Sequence, residues 1–179
     1  MKTKLLITFL CISLSFYAQE KYYTKSGKIT FESSVPSFEE VKATNNKVSA
    51  ILKDDGAIAS LALVKAFRFK IALMEEHFNE NYAESSIYPK ATFKGNIVGA
   101  NLKDGKSGAY TIAGDLTFHG VTQSIQSIPI EITFEEDAII IKGNFTVKAS
   151  EYDIKIPNIV KNKVSETVII SFVFNLDKS

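Results

Sequence analysis

The side chains able to do chemistry are few and far apart. There are two histidines, His77 and His119, and one arginine, Arg68. The sole cysteine, Cys11, lies in the N-terminal apolar run. The rest of the chain therefore has no thiol for a disulfide, a thiolate metal site or a cysteine nucleophile. No His-x-x-x-His pair and no acidic calcium loop occurs, so the usual metal-ligand spacings are missing. No serine sits in a Gly-x-Ser-x-Gly turn, and no glycine-rich loop follows a strand to cradle a phosphate. These absences read as a protein that is not an enzyme and uses no metal and no cofactor.

What the sequence supplies instead is apolar faces, and strand signals carry most of them. Lys28–Val35 reads as a strand with Ile29, Phe31 and Ser33 on one face. Asn46–Lys53 is a second, with Val48 and Ala50 opposite Ile51, and Asp54-Asp55-Gly56 turns the chain. Ala57–Lys70 reads as one long strand that places Leu61, Leu63, Phe67 and Phe69 together, interrupted by Lys65. From Ile71 to Tyr82 the spacing changes to three and four, with Ile71, Met74, Phe78 and Tyr82 on one side and Glu75, Glu76, Asn79 and Glu80 on the other. This predicts a short amphipathic helix, which the serines before Pro89 bring to an end.

Alternation then resumes. Ala91, Phe93, Gly95 and Ile97 share a face, as do Tyr110, Ile112, Gly114, Leu116 and Phe118. His119-Gly120 makes a tight turn into a return strand carrying Ile128, Ile130, Ile132 and Phe134. Ile139, Ile141, Gly143, Phe145 and Val147 follow in register. Ser150–Lys163 is irregular and contains Pro157, and the last strand, Thr167–Leu176, aligns Val168, Ile170, Phe172, Phe174 and Leu176.

About eight strands joined by short turns, each with one apolar face, predict an all-β domain: an antiparallel barrel with one short helix. Closure removes the two edges and the exposed apolar face that an open sheet would leave. A two-sheet sandwich is the alternative, since strand count does not separate the two. Gly95, Gly114 and Gly143 fall on apolar faces, where glycine marks either a bend needed for closure or volume left free inside. The expected lumen is lined by Phe31, Phe67, Phe69, Phe93, Gly95, Ile112, Gly114, Leu116, Phe118, Ile130, Gly143, Phe145, Ile170 and Phe172. Met74 and Phe78 of the helix pack onto it or fill core. His77, His119 and Arg68 are the candidate contacts to a ligand head group. Their alternatives are structural: a helix flank, a turn-backbone partner and a solvated strand charge.

The N-terminus reads as a secretory signal. Lys2 and Lys4 precede the apolar run Leu5–Tyr17, and Ala18 offers a small residue for cleavage. The run falls short of the roughly 20 residues a spanning helix needs. Residues 1–18 are thus the expected signal peptide, and 19–179 one barrel domain, exported to the periplasm or secreted, with no stable membrane insertion. Loss of Lys2 and Lys4 takes the formal charge from +1 to −1, a balance that argues against nucleic acid as a partner.

Several short motifs occur in an order that resembles the YceI-like family. They are Gly27-Lys28-Ile29-Thr30-Phe31-Glu32-Ser33, Leu73-Met74-Glu75-Glu76-His77-Phe78, Tyr88-Pro89-Lys90-Ala91-Thr92-Phe93-Lys94-Gly95, Gly114-Asp115-Leu116-Thr117-Phe118-His119-Gly120-Val121-Thr122, and Gly143-Asn144-Phe145 running on to Tyr152-Asp153-Ile154. The resemblance implies an exported, lipocalin-like eight-stranded barrel with a helix. It also implies that the lumen binds a long isoprenoid chain, as a lipid or a quinone, so the expected partner is an apolar small molecule held without chemistry. A barrel filled by its own side chains, acting as a structural or protein-binding module, is the other reading.

The export reading makes a direct prediction. Mass spectrometry of protein recovered from the cell envelope should find an N-terminus at or near Gln19. An intact Met1 on membrane-embedded protein would overturn it.

Overall fold

The computed structural model describes residues 20–36, 38–99 and 102–179. The expected signal peptide and Cys11 lie outside the described residues. The chain forms β1 (Lys21–Ser34), β2 (Lys42–Lys53), β3 (Ala57–Leu63), β4 (Arg68–Phe69), α1 (Ala72–His77), β5 (Lys90–Val98), β6 (Gly108–Phe118), β7 (Val121–Phe134), β8 (Ala138–Lys148) and β9 (Val164–Lys178). The eight long strands pair antiparallel, each with the next, and β1 also pairs with β9. Because β1 is hydrogen-bonded on both sides, the sheet is closed and no sandwich forms. The two-residue β4 is a clip on the start of β2, Ala43 against Phe69 and Thr44 against Arg68.

One end of the barrel is packed solid. Leu52, Ile132, Ile139, Ile141 and Leu176 are fully buried beside the turns that join β2 to β3 and β7 to β8. Ile58, Ile97, Ile112, Ile128 and Phe174 complete this layer. Burial of each such side chain contributes about 1.5–3 kcal/mol. The longer connections, 35–41, 64–89 and 149–163, all lie at the other end, with the β6–β7 turn. That turn is a two-residue loop between Phe118 and Val121. Both of its residues have positive φ, +50° at His119 and +78° at Gly120, the geometry that matches the twist of a hairpin.

The helix forms where the spacing predicts it, in two parts: α1 runs to His77, and Phe78–Tyr82 continues as a π-helical turn. It is held by a cluster of four rings from three segments. Phe31 of β1 lies 5.0 Å from Phe78 of the helix, 5.3 Å from Phe67 and 5.6 Å from Phe69.

Two expectations are corrected. Ala57–Lys70 is not one strand: β3 ends at Leu63, a 3-10 turn spans Val64–Ala66, and β4 follows. Nor do Leu61 and Leu63 share the inner face with Phe67 and Phe69. Leu63 is about half exposed at 49%, while Ile58, Ala62 and Val64 are buried. Every position of this strand is apolar or small, so alternation cannot say which face turns inward. The register does: Ile58 sits between Leu52 of β2 and Gly95 of β5, both inward.

Gly95 and Gly114 face each other across β5 and β6. A Cβ on Gly95 would collide with the Ala113 carbonyl, and one on Gly114 with the Lys94 carbonyl and, at 2.5 Å, with the Gly95 Cα. The two backbones approach too closely for any side chain. The Phe93 ring lies over both glycines, 2.9 Å and 2.7 Å from the two Cβ positions, an aromatic cover of the kind that restores packing to strand glycines. Gly114→Ala is accordingly expected to lower the unfolding free energy by roughly 1–3 kcal/mol, read from urea denaturation. An unchanged midpoint would show that the strands can part at no cost.

Candidate functional site

Above the packed layer the lumen is hollow. A cavity of about 530 Å³ opens toward the helix end, a size ordinary for small-molecule sites. Its wall is built from the inward positions of the strands: Phe31, Phe93, Leu116, Phe118, Phe145, Ile170 and Phe172, with Ile112 and Ile128 beneath. The connections close over it, with Phe67, Phe69, Met74, His77, Phe78 and Tyr82 from one side and Tyr152, Ile154, Ile156 and Val160 from another. Several inward rings, among them Phe93, Phe118 and Phe145, are only half-buried. They face empty space rather than other side chains, and so forgo packing contacts on that side.

Thirteen of the residues expected from sequence stand on this wall: Phe31, Phe67, Phe69, Met74, His77, Phe78, Phe93, Ile112, Leu116, Phe118, Phe145, Ile170 and Phe172. Four expected lumen residues do not reach it. Phe93 covers Gly95 and Gly114. Gly143 lies under the Phe172 ring, 2.7 Å from its Cβ position, and under the Ile130 methyl at 2.9 Å. Ile130 is itself buried in the core at 5% exposure. The space the glycines leave is therefore taken up by neighbouring side chains.

Of the three head-group candidates, only His77 lines the cavity, at its mouth with Glu39 and Lys163. Arg68 lies outside. Its Nη1 donates to the carbonyls of Lys65 and Phe67 and to Glu75 Oε1 at 2.9 Å, and Glu75 Oε2 accepts from the Phe69 amide. Alternation sends it away from Phe67 and Phe69, and there it ties β4 to α1. His119 is buried behind the wall. Its Nδ1 is 2.9 Å from the Tyr152 carbonyl and its Nε2 is 2.7 Å from Glu84 Oε2, with Tyr88 edge-on to the ring. It joins three separate connections at the open end of the barrel.

Sequence reasoning missed part of the wall. Ile58, Ser60 and Ala62 belong to the strand whose face was ambiguous. The segment after β8 read as irregular, yet Tyr152, Ile154 and Ile156 alternate with Asp153 and Lys155, a period-two signal sufficient to place them. Tyr152 is 2% exposed. Burial, with a smaller contribution from the Glu151 charge, pushes its phenol up to about 12, so it stays a neutral donor. Among the described residues no three His, Cys, Asp or Glu side chains come together as metal ligands, and no helix is long and apolar enough to cross a membrane. What this site does chemically is remove apolar surface from water.

The YceI-like domain model matches residues 21–176, nearly all of the described chain, and the protein belongs to that family. No curated protein matches the sequence. Among solved structures, a polyisoprenoid binding domain from Saccharophagus degradans implicated in plant cell wall breakdown superposes with a TM-score of 0.77 at 16% identity, covering 90% of this chain and 100% of that one. BcnA from Burkholderia cenocepacia gives 0.69 at 18% identity over 84% of this chain and 95% of its own. The Campylobacter jejuni YceI protein gives 0.60 at 15% over 81% and 88%. At these identities the likeness is one of fold.

The division into packed and hollow halves predicts two different mutational costs. Ile132→Ala in the packed layer should cost about 2–5 kcal/mol. Phe118→Ala on the cavity wall should cost less than the about 3–5 kcal/mol typical of a fully packed phenylalanine. Denaturant melts of both variants check this; a loss at Phe118 in the full range would mean its ring is packed on all sides.

Proposed function

We propose that this YceI-like protein is an exported carrier that holds one elongated apolar molecule, an isoprenoid lipid or quinone, in the barrel lumen without transforming it. The observation that carries this reading is the cavity of about 530 Å³ with an aromatic and aliphatic wall and an opening at the helix end. Each methylene buried contributes about 0.8 kcal/mol. About ten of them supply a gross 8 kcal/mol, the scale of a micromolar Kd, before the cost of ordering the chain. The polyisoprenoid binding domain of Saccharophagus degradans, which shares the fold, supports isoprenoids as the class. The signal-like N-terminus supports a site of action outside the cytoplasm. The packed layer below the cavity fits a purely structural barrel, but the hollow above it does not.

Organic extraction of the purified protein followed by mass spectrometry tests the proposal. The expected result is an apolar molecule present near one per chain. An empty extract, together with no uptake of an added isoprenoid, would overturn it.

A further inference from the structure

Tyr152 stands apart from the rest of the cavity wall. It is 2% exposed, it lines the cavity, and its hydroxyl has no hydrogen-bond partner among the described residues. A buried hydroxyl without a partner is destabilising, because it has given up water and received nothing. Phenylalanine would occupy nearly the same space without that cost. By contrast, the buried wall hydroxyl of Ser33 is satisfied, donating to the Ser165 carbonyl at 2.6 Å.

The orphan is not a loose side chain on a loose loop. The turn that carries it, Ala149–Tyr152, is bonded from several directions. The Tyr152 carbonyl meets His119 Nδ1, whose other nitrogen is held by Glu84. Gln123 Nε2 donates to the Glu151 carbonyl at 2.8 Å. The Ser150 amide donates to Glu166 Oε1 and the Lys148 amide to Glu151 Oε2. The ring lies edge-on to Phe118 with centroids 6.2 Å apart. A donor held by so many contacts from other strands is pre-organised, and a pre-organised donor favours a partner that arrives already in place. Burial keeps the phenol protonated at any physiological pH.

We propose that the Tyr152 hydroxyl is a ligand-binding group, donating a hydrogen bond to an acceptor oxygen on the bound molecule at the level of the Ala149–Tyr152 turn. The ligand class this selects is an apolar chain that carries a carbonyl, ether or alcohol oxygen, in preference to a pure hydrocarbon. The inference rests on the carrier reading and refines it. The discrimination comes from the donor: with a hydrocarbon in the cavity it stays unpaired, with an oxygenated chain it does not.

The test compares wild type with Tyr152→Phe for two probes, squalene, which has no oxygen, and geranylgeranylacetone, an isoprenoid ketone. Uptake is measured by gel filtration and mass spectrometry of the protein fraction. The variant should bind the ketone roughly three- to tenfold more weakly than wild type, and squalene equally well. The unliganded variant should melt no lower than wild type, since the hydroxyl it loses had no partner. Equal loss for both probes, no loss for the ketone, or a lower melting temperature of the unliganded variant would overturn the role of Tyr152 while leaving the carrier reading intact. Failure of wild type to take up either probe would overturn both.

Discussion

An eight-stranded barrel has a bore fixed by its strand number, just wide enough to be filled by side chains or to hold one small ligand. Everything else in this protein follows from how that bore is shared. Closure itself depends on β1, which bonds β2 along one edge and β9 along the other. Toward the β2–β3 turn, isoleucines and leucines at inward positions meet across the axis and fill it. Toward the helix, the inward positions alternate between rings and small residues such as Ser60, Ala62 and Ala91, and these do not span the gap. The same backbone thus carries a plug at one end and a cavity at the other, decided by side-chain size alone.

The close approach of β5 and β6 at Gly95 and Gly114 belongs to this division. Each glycine leaves room for the opposite strand's backbone, and Phe93 folds over the pair to become wall. Phe172 does the same for Gly143. The glycines shape the barrel, and the aromatic rings that cover them shape the cavity.

The connections over the open end are held mainly by apolar contact. The ring cluster of Phe31, Phe67, Phe69 and Phe78 fixes the helix. Paired rings of this kind contribute about 0.5–1.5 kcal/mol each beyond their burial. The Arg68–Glu75 pair is largely exposed on the arginine side, where ion pairs contribute about 0–1 kcal/mol; its use is to orient the start of α1. His119 is the polar counterpart of the ring cluster, joining Glu84, its own turn and the Tyr152 backbone. Charged groups at the mouth, Glu39, His77 and Lys163, stay where water can reach them, and the interior is left to apolar surface and one buried phenol.

Alternation alone determined most of the barrel. In β5 to β9 each strand pairs a run of apolar residues with a polar face, so Phe93, Leu116, Phe118, Phe145 and Phe172 were placed inward before any partner strand was known. The change of spacing after Lys70 located the helix for the same reason. In β3 the pattern failed because both faces are apolar or small, and only hydrogen-bond register with Leu52 and Gly95 chose Ile58 over Leu61. His119 and Arg68 were legible as polar groups but not as structural ones, since their partners lie up to 35 residues away in the chain. Whether a glycine leaves a void or is covered depends on where a neighbouring ring folds, and whether a tyrosine hydroxyl finds a partner depends on every strand around it. Spacing in a sequence reports which face a side chain is on; what that face meets is set by contacts between distant segments, and those exist only once the barrel has closed.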